Sequence, residues 1–135
     1  MLDKTIAIIA NGEILFPELT RRILGDVDII IAADGGIKTC KAAGIQPHYI
    51  ISYLDSSTQE NRETFPAAEI IHIQNQQTTD MQKALNLAAS FEPKLIKVLS
   101  ALGKRSDHSN ANLLILREFN QQFPVEIYGN YGKFL

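Results

Sequence analysis

Short polar clusters follow the apolar runs of this 135-residue chain, and their residue types suit the handling of phosphate groups. Asp34, Asp55 and Asp80 would place three carboxylates close together if these clusters meet in the fold. Three close carboxylates repel one another unless a cation or a shared proton neutralises them. Magnesium fits, because it takes one or two carboxylates and completes its shell with water and phosphate oxygens. The acidic residues therefore predict a magnesium-nucleotide site.

Glycine and basic residues support the same interpretation. Gly35 and Gly36 follow Asp34 and allow backbone N–H groups to approach an anion at a helix start. Lys104 and Arg105 offer positive charge to a transferring phosphoryl group. Neither the P-loop motif nor the GxGxxG dinucleotide fingerprint occurs, so the prediction depends on the arrangement of several weak signals.

The apolar runs predict the strands and helices that would position these clusters. Strands are expected at residues 6–10, 28–33, 49–52, 69–73, 95–100 and 125–128. Helices are expected at residues 17–24, after Gly36 to about Ala43, at 79–90 and at 107–120. Strands that are apolar on both faces and alternate with helices indicate a parallel sheet covered on both sides. The predicted fold is one α/β domain over residues 1–135, with three α/β/α layers and a mainly parallel five- or six-stranded sheet.

This topology predicts where the polar clusters meet. Right-handed crossovers place every strand-to-helix turn at one edge of the sheet, which is the edge where open α/β sheets bind ligands. One polar cluster after a strand is ordinarily turn chemistry, but five at the same edge predict a site. The residues expected there are Asn11, Asp34, Gly35, Gly36, Asp55, Ser56, Thr79, Asp80 and Arg105.

Composition narrows the partners and the compartment. The net charge is −2 and no basic stripe is present, so no nucleic-acid partner is expected. No stretch approaches the roughly 20 apolar residues of a membrane span. The apolar run near the N-terminus is too short for a secretory signal, and a lone Cys40 suits a reducing compartment, so a cytoplasmic location is expected. Cys40, His48 and His72 are expected to be structural residues.

Six motifs in order link the chain to a known family. They are Ile9-Ala10-Asn11-Gly12-Glu13, Ala32-Ala33-Asp34-Gly35-Gly36, Gly44-Ile45-Gln46-Pro47, Leu54-Asp55-Ser56, Thr79-Asp80, and Ala101-Leu102-Gly103-Lys104-Arg105-Ser106-Asp107-His108 with Ala111-Asn112. Each is weak alone, but together they resemble the motifs of thiamine pyrophosphokinases over nearly the whole chain. The resemblance implies transfer of a pyrophosphoryl group from ATP to the hydroxyl of thiamine, with release of AMP, a requirement for Mg²⁺ and assembly as a homodimer.

The same resemblance implies roles for individual residues. Asp55, Asp80, Arg105 and Asp107 would be catalytic, and Asp55 and Asp80 would bind the metal. The residues implied to contact nucleotide or substrate are Asn11, Asp34, Gly35, Gly36, Ser56, Thr79, Arg105, His108, Ser109 and Asn112.

The chain also departs from the family pattern. Tyr53 and Gln77 stand where the family usually has acids, and Asn75 and His48 replace two other frequent acids. A neutral tyrosine is a poor magnesium ligand, so weaker metal binding and reduced catalysis are expected. The family's C-terminal β-sandwich domain is expected to be absent from these 135 residues.

Three function classes remain open from the sequence. The first is an ATP-dependent pyrophosphokinase, and the second is a nucleotide-binding homologue that has lost activity. The third is a phosphoacceptor signalling domain, in which Asp55 and Lys104 would act after strands three and five. That third class needs an acidic pair after the first strand, where this chain has only Glu13.

Overall fold

The computed structural model describes residues 4–52, 63–72, 80–101, 114–130 and 132–133, except for the side chains of Asp34, His72 and Asp80. In chain order, the elements are β1 (Thr5–Ile9), α1 (Pro17–Leu24), β2 (Ile29–Ala33), a 3₁₀ turn (Asp34–Gly36), α2 (Ile37–Ala43), β3 (Tyr49–Ser52), β4 (Glu69–His72), α3 (Asp80–Ala89), β5 (Leu95–Leu99), α4 (described over residues 114–119), β6 (Val125–Gly129) and β7 (Gly132–Lys133).

One sheet contains all seven strands of the described residues, in the order β4-β3-β2-β1-β5-β6-β7. The strands β1 to β6 pair in parallel, whereas β7 runs antiparallel to β6. The mainly parallel sheet predicted from the sequence is confirmed. The seventh strand was not predicted, because two residues are too short to show an apolar pattern.

The strands are buried on both faces, which explains their continuous apolar runs. Every residue of β1 and of β2 is buried. Ile6 and Ile8 point to one side, where they share a core with the apolar residues of α3 and α4. Ala7 and Ile9 point to the other side, where they pack with α1 and α2. The two cores on opposite faces confirm the three-layer α/β/α arrangement.

The first two helices begin and end where the local sequence predicts. Pro17 is the first residue of α1, a position where its missing N–H costs no hydrogen bond. Arg21 and Arg22 lie in the last turn of α1, where positive charge is favourable. Gly44 ends α2 with a left-handed φ of 67°, and the N–H of Ile45 donates to the Cys40 carbonyl.

Lys97 is a charged residue within the buried surface of β5. Only 8% of the residue is exposed, and it lies on the face that α1 covers. Its ammonium donates to the Ile23 carbonyl at 3.0 Å and to the Asp26 carboxylate at 2.8 Å. Both acceptors lie at the C-terminal end of α1, so Lys97 fixes that end of the helix on the sheet.

Cys40 is buried in α2, as expected for a structural cysteine. Its burial away from water raises the pKa of the thiol to about 12. Within the part of the chain that the structure describes, no helix is long and apolar enough to cross a membrane.

Candidate functional site at the carboxyl edge of the sheet

The chain changes direction in the sheet between β1 and β5. Strands β2, β3 and β4 extend to one side of β1, while β5 and β6 lie on the other. The turns that leave the carboxyl ends of β1 and β5 therefore diverge, and such a switch point is where open parallel sheets bind ligands. Backbone hydrogen bonds still join the two segments beyond the ends of these strands. The Ala10 N–H donates to the Leu99 carbonyl at 2.8 Å, and the Gly12 N–H donates to the Ser100 carbonyl at 2.5 Å.

The turn after β2 packs tightly against the turn after β1. A Cβ atom at Gly35 would lie 1.8 Å from Oδ1 of Asn11, and a Cβ at Gly36 would lie 2.0 Å from the Ile9 carbonyl oxygen. No other residue type fits either position without movement. Asn11, in the turn after β1, is exposed at this edge. Asp34 is the first residue of the turn after β2, which contains Gly35 and Gly36. The fold thus brings the Asn11 side chain beside the Asp34-Gly35-Gly36 segment.

The start of α3 lies at the same edge. Phe91, just after α3, contacts Tyr49 at the first residue of β3, with ring centroids 5.9 Å apart. The C-terminal end of α3 therefore lies at the amino edge of the sheet, and its first residue, Asp80, lies at the carboxyl edge. The backbones of Asp34 and Asp80 are consequently on one edge, as the predicted topology requires.

Ser100, a buried residue just after β5, is hydrogen-bonded to both the turn after β1 and helix α2. Its backbone has a φ of 59°, and Ser100 and Thr39 are each 2% exposed. The two hydroxyls are 3.2 Å apart and form a buried hydrogen bond between the end of β5 and α2. Sequence analysis did not identify this pair, because a serine after a strand is typical of an ordinary turn.

Comparison with known proteins decides the family. The family model for the thiamin pyrophosphokinase catalytic domain matches residues 20–128 of this chain. This chain belongs to the thiamin pyrophosphokinase family. The resemblance inferred from the six motifs is confirmed, and the family assignment favours the first function class over a phosphoacceptor domain.

Individual relatives agree with this assignment. The thiamine pyrophosphokinase of Bacillus subtilis (strain 168) is 34% identical over 117 residues, which cover 84% of this chain and 54% of the relative. A crystal structure of thiamine pyrophosphokinase from Bacillus subtilis aligns with a TM-score of 0.73 at 26% identity, covering 93% of this chain and 60% of that one.

Two further solved structures of thiamin pyrophosphokinases share the fold. The thiamin pyrophosphokinase of Geobacillus thermodenitrificans aligns with a TM-score of 0.73 at 26% identity, over 92% of this chain and 59% of that one. The Candida albicans enzyme aligns with a TM-score of 0.71 at 19% identity, over 93% and 57%, and at that identity shows the fold alone. The chain spans between half and three-fifths of the length of these relatives.

Many of the predicted site residues lie outside the part of the chain that the structure describes. They are Asp55, Ser56, Thr79, Arg105, Asp107, His108, Ser109 and Asn112. The carboxylates of Asp34 and Asp80 are outside it as well. Within the described residues, no group of three or more histidine, cysteine, aspartate or glutamate side chains is arranged to hold a metal ion. The roles of these residues in this thiamin pyrophosphokinase domain stay predictions.

Asn130 is a further residue that the sequence pattern did not identify. Its Oδ1 accepts from the Phe16 N–H at 2.8 Å, and its Nδ2 donates to the Ile14 carbonyl and to Glu13 Oε1, both at 3.3 Å. Asn130 therefore holds the segment between Asn11 and α1 against the turn after β6. A Gly-Asn pair at the end of a strand predicts only a turn, so nothing local signals this contact.

The amino edge of the sheet, opposite the candidate site, carries a groove. A shallow groove of about 320 Å³ lies there between the start of β3 and the start of β4, lined partly by His48, Tyr49 and Glu69. His48 Nδ1 accepts the Ile30 N–H at 2.9 Å, which confirms the structural role expected for this histidine. The side chain of His72 lies outside the part of the chain that the structure describes, so the structural role expected for it stays a prediction.

Proposed function

We propose that this chain is the nucleotide-handling part of a thiamine pyrophosphokinase, which transfers a pyrophosphoryl group from ATP to the hydroxyl of thiamine and releases AMP. One observation supports this most directly: in a chain of this family, the switch point of the sheet gathers Asn11, the Asp34-Gly35-Gly36 turn and the start of α3 at one edge. Ligands bind at this point in open α/β sheets.

Magnesium suits the side chains proposed to hold it. Asp55 and Asp80 would be its protein ligands, with Asp34 nearby, and carboxylate oxygens are the ligands that Mg²⁺ prefers. The backbone positions of Asp34 and Asp80 at one edge support this donor set. A bound Mg²⁺ would offset the negative charge of the ATP phosphates.

The remaining residues would bind and orient the two substrates. Asn11, Gly35 and Gly36 would present an amide side chain and backbone N–H groups to the nucleotide phosphates. Arg105 would stabilise the charge of the transferring group, while Asp107 would orient reacting groups beside it. Additional contacts to nucleotide or thiamine are proposed for Ser56, Thr79, His108, Ser109 and Asn112.

The departures from the family pattern predict a slow enzyme. Tyr53 and Gln77 lower the negative charge expected around the metal. Replacing both with aspartate should therefore increase Mg²⁺ affinity and, with it, thiamine-dependent AMP release. Full activity in the unmodified chain would show that these two positions matter little.

The decisive measurement is AMP release from ATP with and without thiamine, in the presence and absence of Mg²⁺. If the chain alone is inactive, the assay should be repeated with the part of the Bacillus subtilis relative that this chain does not cover added. Asp55→Asn and Asp80→Asn should each weaken Mg-ATP binding about tenfold, or about 1.4 kcal/mol. Asp26→Asn is the matched control, because Asp26 is an exposed acid before β2 at the opposite edge. Unchanged affinity in both site variants would remove the metal site.

We also propose a cytoplasmic homodimer. Closed two-fold dimers are the commonest soluble assembly, and Phe16 and Leu114 are large apolar side chains that remain 53% and 63% exposed. Tyr131, Phe134 and Leu135 are apolar residues that would also suit an interface, and they lie outside the part of the chain that the structure describes. Light scattering over a concentration series should give the dimer mass, whereas a constant monomer mass would contradict this part of the proposal.

A further inference from the structure

The backbone of Ser100 is strained at a buried position. Among the described residues, only Glu92 and Ser100 are non-glycine residues with positive φ. Glu92 is exposed in the turn after α3, whereas Ser100 is 2% exposed at the end of β5. An L residue is disfavoured in this conformation and keeps it only when its surroundings impose it, which happens often at functional sites.

Two hydrogen bonds hold Ser100 in this conformation. Its carbonyl accepts the N–H of Gly12, in the turn after β1. Its hydroxyl pairs with the hydroxyl of Thr39, in the first turn of α2 directly after Gly35 and Gly36. Ser100 thus contacts the segments that leave β1 and β2, and it is the residue from which the chain leaves β5.

We infer that Ser100 is a positioning residue, which sets the distance between the Asn11–Gly12 turn and the Gly35–Gly36 turn through Gly12 and Thr39. This inference rests on the proposed function, because both turns belong to the proposed nucleotide site. The close contacts of Gly35 and Gly36 limit how near the two turns can come, but the apolar packing beneath them has no preferred direction. A buried hydrogen bond specifies a distance and an angle, and breaking it leaves a costly unpaired group.

Four variants separate the hydroxyl bond from the backbone conformation. Thr39→Val removes the hydroxyl at nearly constant volume, whereas Thr39→Ser retains it. Ser100→Gly removes the hydroxyl but accepts a positive φ, whereas Ser100→Ala removes it and keeps the strain. Thr20→Val is the matched control, because Thr20 is as deeply buried but its hydroxyl donates to the carbonyl of Phe16, the residue just before α1.

The first readout is kcat for thiamine-dependent AMP release, expressed per folded molecule. Thr39→Val, Ser100→Gly and Ser100→Ala should each lower kcat about tenfold, since small misplacements of reacting groups have effects of this size or larger. Thr39→Ser and Thr20→Val should stay within about twofold of the unmodified chain. The Thr39→Val/Ser100→Gly double variant should be no worse than either single variant, because both remove one bond.

The second readout is amide hydrogen exchange at Gly12, compared with Ile8 in the middle of β1. Thr39→Val should accelerate exchange at Gly12 but not at Ile8, and Thr39→Ser should restore the original rate. If the unmodified chain releases no AMP even with the missing part of the relative added, the proposed function fails, and Gly12 exchange alone decides this inference. Unchanged Gly12 exchange in Thr39→Val and Ser100→Ala would overturn it, even if kcat falls, because the effect would then not pass through this turn.

Discussion

Gly36 packs against the carbonyl oxygen of Ile9 so closely that a Cβ atom at Gly36 would lie 2.0 Å from it. Ile9 is the last residue of β1, a fully buried strand in the middle of the sheet, so its carbonyl has no room to withdraw. The turn after β2 can approach β1 only because residue 36 lacks a side chain.

Replacing Gly36 with alanine should therefore destabilise the fold, by about 1–3 kcal/mol, as is typical of overpacking. Urea unfolding followed by circular dichroism would measure this. Gly25→Ala is the control, because Gly25 has a φ of −62° and the nearest atom to an added Cβ is 3.5 Å away. That change should stabilise the fold by about 0.4–1 kcal/mol. Equal effects of both changes would mean that the Gly36 contact is not tight.

The neighbouring Gly35 should behave differently, because the atoms in its way belong to the Asn11 side chain. An exposed side chain can rotate away, so Gly35→Ala should change the free energy of unfolding by less than about 1 kcal/mol. Mg-ATP affinity should nevertheless fall about tenfold, since Asn11 is displaced. Calorimetric titration would test this. The Asn11→Ala/Gly35→Ala double variant should bind no more weakly than Asn11→Ala alone, whereas additive losses would indicate that Gly35 acts independently of Asn11.

The Lys97–Asp26 pair should make stability depend on acidity. A hydrogen bond from the Lys97 ammonium, together with its charge, lowers the pKa of Asp26 below its ordinary value of 3.8. Because the folded-state value is the lower one, the contribution is complete above pH 3.8 and disappears as the pH falls through the lowered value. Unfolding experiments from about pH 2.5 to about pH 7 should show that Asp26→Asn lowers the free energy of unfolding near neutral pH. At the acid end of this range the variant and the unmodified chain should be equally stable. In a Lys97→Met background, Asp26→Asn should have a much smaller pH-dependent effect, because only the backbone hydrogen bond at Asp26 and the charge of Lys94 still lower this pKa.

Cys40 should report unfolding of the whole domain. It is the only cysteine, it is 0% exposed, and burial raises the pKa of its thiol to about 12. The thiolate is the reactive form, so a disulfide reagent at neutral pH should modify the folded chain very slowly and the urea-unfolded chain rapidly. Gly36→Ala should accelerate the reaction by the same factor by which it raises the unfolding equilibrium constant, and Cys40→Ala should abolish the reaction. Fast modification of the folded chain would contradict the burial of this residue.

Local sequence determined the elements and the layers of this protein. Uniformly apolar runs predicted β1 and β2 as strands covered on both faces, because only such strands need apolar side chains in both directions. Pro17 and Gly44 marked a helix start and a helix end through their own backbone preferences. The clustering of polar residues after the strands predicted the edge at which the turns of Asn11 and Asp34 lie and at which Asp80 begins α3.

Only the tertiary structure decided which turns touch and what holds them. Strand order placed the switch point between β1 and β5, and no apolar pattern specifies which strand lies beside which. Ser100 meets Thr39 across 61 positions of sequence, and Asn130 meets Phe16 across 114. Neither contact leaves a periodic or compositional signal, because each depends on where the whole sheet brings two distant turns. The left-handed backbone of Ser100 has the same origin, since it is imposed by distant hydrogen-bond partners and opposes the preference of the residue itself.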